Sequence, residues 1–329
     1  MILKESIFIN QASKGLFILI FILLLGAVSC SGKSGVNVAQ QEKQIESVSG
    51  FTTEADSGMV DLTVFYTTDA DCTVFDEYIA YIDPFKTDPI SVSDLIIETA
   101  QFFLDKPYVA STLEIEPEGL IINLREFDCT TFVETVLALS RVVRMYDHPT
   151  FDDFCRLLQN IRYRRGFVGD YTDRNHYFSD WIYENETRGY VKDITKKIGG
   201  EPYKLNLHFM SSHPENYSQL KSHPEYIEIM RRKEISISER DIYALIPEAK
   251  ITSCEAKMWN GDIVCFVTNI EGLDVSHVGI VYCHEGKTSF IHASTGAKKV
   301  IIEPLGLSVY VEKNKRNTGI MLVRPQFPE

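Results

Sequence analysis

The chain has 329 residues, 44% of them hydrophobic and 24% charged, which fits one or two globular domains and excludes a disordered, collagen-like or polytopic membrane protein. Its 33 basic and 46 acidic residues leave a net charge of −13 with no Lys/Arg stripe. The counterion release that drives nucleic-acid binding is therefore missing, and no nucleic-acid partner is expected.

The first element is a targeting segment. A weakly basic lead, Lys4 to Lys14, precedes fifteen uncharged residues from Gly15 to Ser29, too few for the roughly 20 that cross a bilayer. Gly26-Ala27-Val28-Ser29-Cys30 resembles a bacterial lipobox, so residues 1–29 read as a lipoprotein signal peptide and Cys30 as the lipidated first residue of the mature protein. Residues 30–58, poor in apolar side chains, read as a flexible tether. The expected setting is the bacterial envelope, on the periplasm-facing outer membrane, with a monomeric folded domain over 59–329 held to the membrane through Cys30.

Within that domain the first half is helical. Ser93-Asp94 can cap a helix to Leu104, Asp128 a second from Cys129 to about Arg144, and Thr150 a third carrying Phe151, Phe154, Leu157, Leu158 and Ile161 on one stripe. The stretch from about 174 to 240 is polar and aromatic and reads as a helical insertion. Its two SHPE segments, at Ser212 and Ser222, look like capping boxes with Pro just inside a helix start. After Trp259 come β-branched runs of strand length: 261–268, 277–284, 289–294, 299–305 and 319–325. Helices first and an antiparallel meander afterwards make an α+β protein.

Seven cysteines include no CxxC and no zinc-finger spacing, and no HExxH occurs, so neither metal nor cofactor is expected. Cys265 and Cys283 sit in strands and Cys155 in an amphipathic helix, where cysteine is a small apolar residue. Cys129 differs: it falls in the first turn of an apolar-faced helix, where free N–H groups and the helix dipole favour a thiolate. A nucleophile of this kind needs a base, and the base an orienting partner. Of eight histidines, His277 and His292 lie on successive strands. If Glu285-Gly286 is a two-residue turn, His284 pairs with Lys287 and His277 faces Ser294. His292 then becomes a same-face diagonal neighbour of His277, about 7 to 8 Å away at Cα. A three-residue loop would send the two imidazoles to opposite faces. Taken singly each residue has an ordinary structural reading; their order and spacing together point to a site.

FDCTTFVE, GDIVCFV, SHVGIVY and FIHAS, in that order, resemble the papain-like NlpC-type cell-wall cysteine hydrolases and, within them, the N-acetylmuramoyl-L-alanine amidase-like family. The likeness runs from about Ser91 onward and includes PYVASTLE and RNHYFSDW. It implies a papain-like fold, with the nucleophile helix packed on a C-terminal antiparallel sheet. It also implies Cys129 as nucleophile, His277 as general base, His292 as orienting residue and Tyr108 beside the oxyanion. The family usually has Gly where this chain has Ser111. Arg174, His176, Tyr177 and Ser276 are candidate substrate contacts, an Arg suiting the carboxylates of a stem peptide. The implied activity is cleavage between N-acetylmuramic acid and L-alanine in peptidoglycan fragments. The alternatives are a stem-peptide endopeptidase cutting between D-glutamate and the diamino acid, and a non-catalytic muropeptide-binding lipoprotein.

Overall fold

Helices begin where a short polar side chain can satisfy the first free backbone N–H groups. The computed structural model, which describes residues 50–54, 60–87 and 90–328, has three such starts close to the expected places. Its helices of seven residues or more are α1 (Asp69–Ile82), α2 (Val92–Phe102), α3 (Cys129–Met145), α4 (Phe151–Arg162), α5 (Phe178–Thr187), α6 (Glu225–Ser238) and α7 (Leu307–Lys313). The Thr150 hydroxyl accepts the Asp153 N–H at the start of α4. α2 is capped by Ser91 rather than Ser93. At α3 the Asp128 carboxylate accepts the Thr131 N–H at 2.8 Å while Thr131 Oγ1 accepts the Asp128 N–H at 2.9 Å, a reciprocal cap that fixes the backbone around Cys129.

Thirteen of the seventeen residues of α3 are buried, Glu134 among them. A buried carboxylate must be paired. Glu134 accepts from Arg162 Nε of α4 at 2.7 Å and from the Trp181 indole at 3.2 Å, pinning the helix to α4 and α5.

The strands are β1 (Gly50–Glu54), β2 (Val60–Tyr66), β3 (Leu120–Ile121), β4 (Val191–Asp193), β5 (Glu201–Pro202), β6 (Ala244–Pro247), β7 (Ile263–Thr268), β8 (Val275–His284), β9 (Lys287–Ser294), β10 (Lys299–Ile302) and β11 (Asn317–Pro325). The main sheet runs β10-β9-β8-β7-β11-β6-β5, with β4 also on β11, and every pairing in it is antiparallel. Every residue of β7 is buried. Ile263, Cys265 and Val267 pack with the helical core, while Val264 and Phe266 join Val281, Phe290, Leu307 and Val311 in a second cluster. A strand covered on both faces reads as an unbroken apolar run, as this one does. The architecture is α+β.

The β8–β9 turn is the expected two-residue one. Glu285 and Gly286 both have positive φ, 50° and 76°, the geometry that matches the twist of paired strands. His284 pairs with Lys287 and Ile280 with Ile291. His277 and His292 lie beyond this last rung, next to an irregularity in the β7–β8 pairing at Phe266/Val267.

Three expectations need correction. Neither SHPE serine caps a helix, because Ser212 and Ser222 each end a short preceding one, and α6 starts at Pro224 without a side-chain cap. Gly50–Glu54, placed in the tether, pairs with β2. The run from Lys299 ceases to be a strand at Ile302. The stretch 174–240 also contributes two short strands, β4 and β5, to the main sheet. The signal segment, Cys30 and the tether to residue 49 lie outside the described residues. Among the described residues no helix is long and apolar enough to cross a membrane.

Candidate active site

Cys129 is the first residue of α3, so its own N–H has no acceptor within the helix. The backbone N–H of Val278 in β8 faces its sulfur closely enough to favour the thiolate. Tyr108 comes to the same place because its segment is stitched on both sides. Phe127 N–H donates to Pro107 O and Val109 N–H to Phe127 O, each at 3.0 Å, and Tyr108 N–H donates to Lys298 O at 2.9 Å. The Tyr108 hydroxyl lies beside Thr295 and within electrostatic range of the sulfur, and burial holds its pKa up.

One residue before Val278, His277 Nε2 meets His292 Nδ1 at 2.6 Å, with the rings edge to face. The pair is walled by aromatic rings: Phe266 stacks on His277, and Phe290 and Tyr310 pack against His292. Close approach of β8 to this wall is possible because residue 279 is glycine. A Cβ there would lie 2.8 Å from a Phe290 ring carbon and 3.2 Å from His292 Cβ. On its far side His292 Nε2 lies 3.4 Å from the Glu303 carboxylate, within ion-pair distance but short of good hydrogen-bond geometry.

Among the described residues no hydrogen bond joins the Cys129 sulfur to His277; the two are neighbours through Val278. His277 Nδ1 is buried without a partner, and so are the hydroxyls of Tyr108 and Thr295 by strict geometry. Buried polar groups are normally satisfied, and these three keep hydrogen-bonding capacity in reserve.

Charge at rest differs from expectation. Burial pushes the Cys129 thiol up to about 12, the Asp128 carboxylate adds to the shift, and the Val278 and Thr130 donors oppose it. Burial likewise holds the His277 imidazole well below its ordinary range, with His292 adding to that. The helix N-terminus does not outweigh desolvation, and the resting pair is a neutral thiol and a neutral imidazole.

The other expected contacts are committed elsewhere. Arg174 is 7% exposed and pairs with Glu118 at 3.0 Å and Glu114 at 3.2 Å, leaving its charge already balanced. His176 Nε2 bonds to Tyr171 O at 2.7 Å, and Tyr177 donates to Glu234 at 2.6 Å. All three side chains are thus engaged with other groups of the chain. Ser276 is half-buried on β8 beside His277. Sequence reasoning missed Glu303, Thr295 and Tyr310, which carry no motif. Among the described residues, no three His, Cys, Asp or Glu side chains converge as a bound metal would require.

Residues 98–320 match the AmiA-like family model, described as N-acetylmuramoyl-L-alanine amidase-like. The chain belongs to this family. A crystal structure of an N-acetylmuramoyl-L-alanine amidase from Bacteroides uniformis is similar at TM-score 0.68 and 36% identity, covering 71% of this chain and 99% of that one. A putative xylanase from Bacteroides fragilis is similar at TM-score 0.65 and 39% identity, over 69% and 98%. A Legionella pneumophila protein, 21% identical over 79% and 96% with TM-score 0.57, shares the fold. No curated protein matches the chain. Membership places the chain among amidase-like cell-wall hydrolases.

Proposed function

We propose that the chain is a papain-like cysteine amidase that hydrolyses the bond between N-acetylmuramic acid and L-alanine in peptidoglycan fragments. The observation that carries this reading is the 2.6 Å imidazole pair, with the spare Nδ1 of His277 one residue from the N–H that faces the Cys129 sulfur. The bond assignment rests on the family and on the Bacteroides uniformis relative's name.

Because thiol and imidazole are both neutral at rest, the proton moves during attack. His277 Nδ1 takes the thiol proton as the sulfur adds to the amide carbonyl. The resulting oxyanion has the Cys129 N–H and the Tyr108 hydroxyl as donors. His277 then gives its proton to the leaving amine, and water, deprotonated by the same imidazole, releases the acyl group from sulfur. His292 holds the His277 ring throughout.

The test is digestion of purified muropeptides read by mass spectrometry. Release of free peptide beginning with L-alanine is expected, and Cys129→Ala should abolish it, with an unchanged circular dichroism spectrum. A released L-Ala-D-Glu dipeptide would move the cut into the stem. Binding without turnover, equal in Cys129→Ala, would make the protein a muropeptide receptor. The envelope location is part of the same proposal: lipid labelling of the full chain in a bacterial host should be lost in Cys30→Ala, and retained label would place the anchor elsewhere.

A further inference from the structure

Each neutral imidazole carries one N–H, so the 2.6 Å bond between His277 Nε2 and His292 Nδ1 admits two arrangements. In the first, His277 Nε2–H donates, the proton of His292 sits on its Nε2, and His277 Nδ1 is bare. In the second, His292 Nδ1–H donates, His277 Nδ1 holds the proton, and His292 Nε2 presents a lone pair. Only the first leaves His277 able to receive a proton from Cys129.

What distinguishes the two is the group facing His292 Nε2, which is a carboxylate. Glu303 Oε2 lies 3.4 Å away, with the side chain 10% exposed. It is firmly held: Leu305 N–H donates to Glu303 Oε1 at 3.0 Å, Glu303 N–H donates to Phe290 O at 2.9 Å, and the Ser289 hydroxyl donates to Glu303 O at 2.6 Å. Burial alone would raise its pKa, yet His292, the Leu305 N–H and the Lys287 charge together hold it below the ordinary carboxylate range. A fixed negative charge attracts an N–H and repels a lone pair, so the second arrangement is disfavoured.

We infer that Glu303 is a positioning residue for the reaction: acting through His292, it fixes the tautomer of His277 and keeps His277 Nδ1 free to accept the thiol proton. The inference rests on the amidase reading for its catalytic consequence. Its geometry stands without that reading, as does half of its test.

The experiment uses the full chain labelled with 15N-histidine, compared with Glu303→Gln, whose amide N–H can donate to His292 Nε2 and so favours the second arrangement. Ring-nitrogen spectra of the native protein should show His277 Nδ1 unprotonated, and those of Glu303→Gln should show it protonated. On muropeptides the variant's kcat should fall on the order of 10²-fold with KM within about twofold, the pattern of a wrong tautomer rather than of lost binding. A protonated Nδ1 in the native protein overturns the inference, even if the variant does not fold. So does a folded variant with unchanged spectra or unchanged kcat. A tautomer switch in a native protein that hydrolyses no muropeptide would remove the amidase reading while leaving the Glu303 assignment in place.

Discussion

Gly279→Ala probes the wall behind the imidazole pair most directly. The added Cβ would stand 2.8 Å from a Phe290 ring carbon, 3.0 Å from the Ile291 carbonyl oxygen and 3.2 Å from His292 Cβ. The ring could turn aside, but Ile291 is the rung opposite Ile280 and its carbonyl moves only with the strand. Overfilling a packed core by one methyl costs about 1–3 kcal/mol. In a domain of this size each kcal/mol lowers the melting temperature by about 2–4 °C. The strand shift also displaces His292, and a misplacement approaching 1 Å in a catalytic group costs on the order of 10²-fold in rate. Calorimetry and muropeptide turnover on the same preparation should therefore show both losses, with KM nearly unchanged. A variant that melts with the native protein and keeps its kcat would show that residue 279 does not set the distance between β8 and β9.

Ser111 adopts φ +62° at an exposed turn, a conformation that costs a residue with a side chain about 1–2 kcal/mol, so Ser111→Gly should raise stability by about 0.5–1 kcal/mol after the greater unfolded-state freedom of glycine. A lower urea midpoint would contradict this. His277 is held neutral by burial, whereas in the unfolded chain it binds a proton near pH 6.5. The unfolded state thus takes up more protons as pH falls, and stability should drop below about pH 6.5 by about 1.4 kcal/mol per pH unit for this imidazole. Urea midpoints between pH 7.5 and 5.5 should fall less steeply in His277→Gln, and parallel curves would mean that the native imidazole charges freely. With iodoacetamide, half-exposed Cys72 and Cys283 should react before buried Cys129, Cys155 and Cys265. Peptide mapping that found Cys129 first would show an ion-paired thiolate at rest.

Local chemistry made much of the site readable in the sequence. The Asp128 cap and the apolar period after it placed α3, and a two-residue Glu-Gly turn left one register in which the two imidazoles could meet. Long-range pairing was not readable in this way. Arg174 looked like a free cation because its partners, Glu114 and Glu118, lie about sixty residues earlier, and ion pairs leave no periodic trace. Glu303 carries no motif, although it sits behind His292. The thiol's surroundings were only half readable for a related reason: proximity to a helix start is visible in sequence, whereas the depth of burial that raises its pKa belongs to the packed fold. The GDIV segment also has a structural part. Asp262 binds Arg324 of β11 through two hydrogen bonds, at 2.7 and 2.8 Å, and caps the turn through Trp259 N–H.

The strand order has a bearing on biosynthesis. β11, which follows the other ten strands in the chain, lies inside the sheet between β7 on one side and β6 and β4 on the other. A nascent polypeptide halted before Asn317 holds two sheet fragments with open inner edges, and the hairpin bearing the histidines is fastened to only one of them. Contacts of such long sequence separation form late. Loss of β11 would therefore part the sheet along its seam and leave the histidine hairpin on one fragment, cut off from β4 and β6.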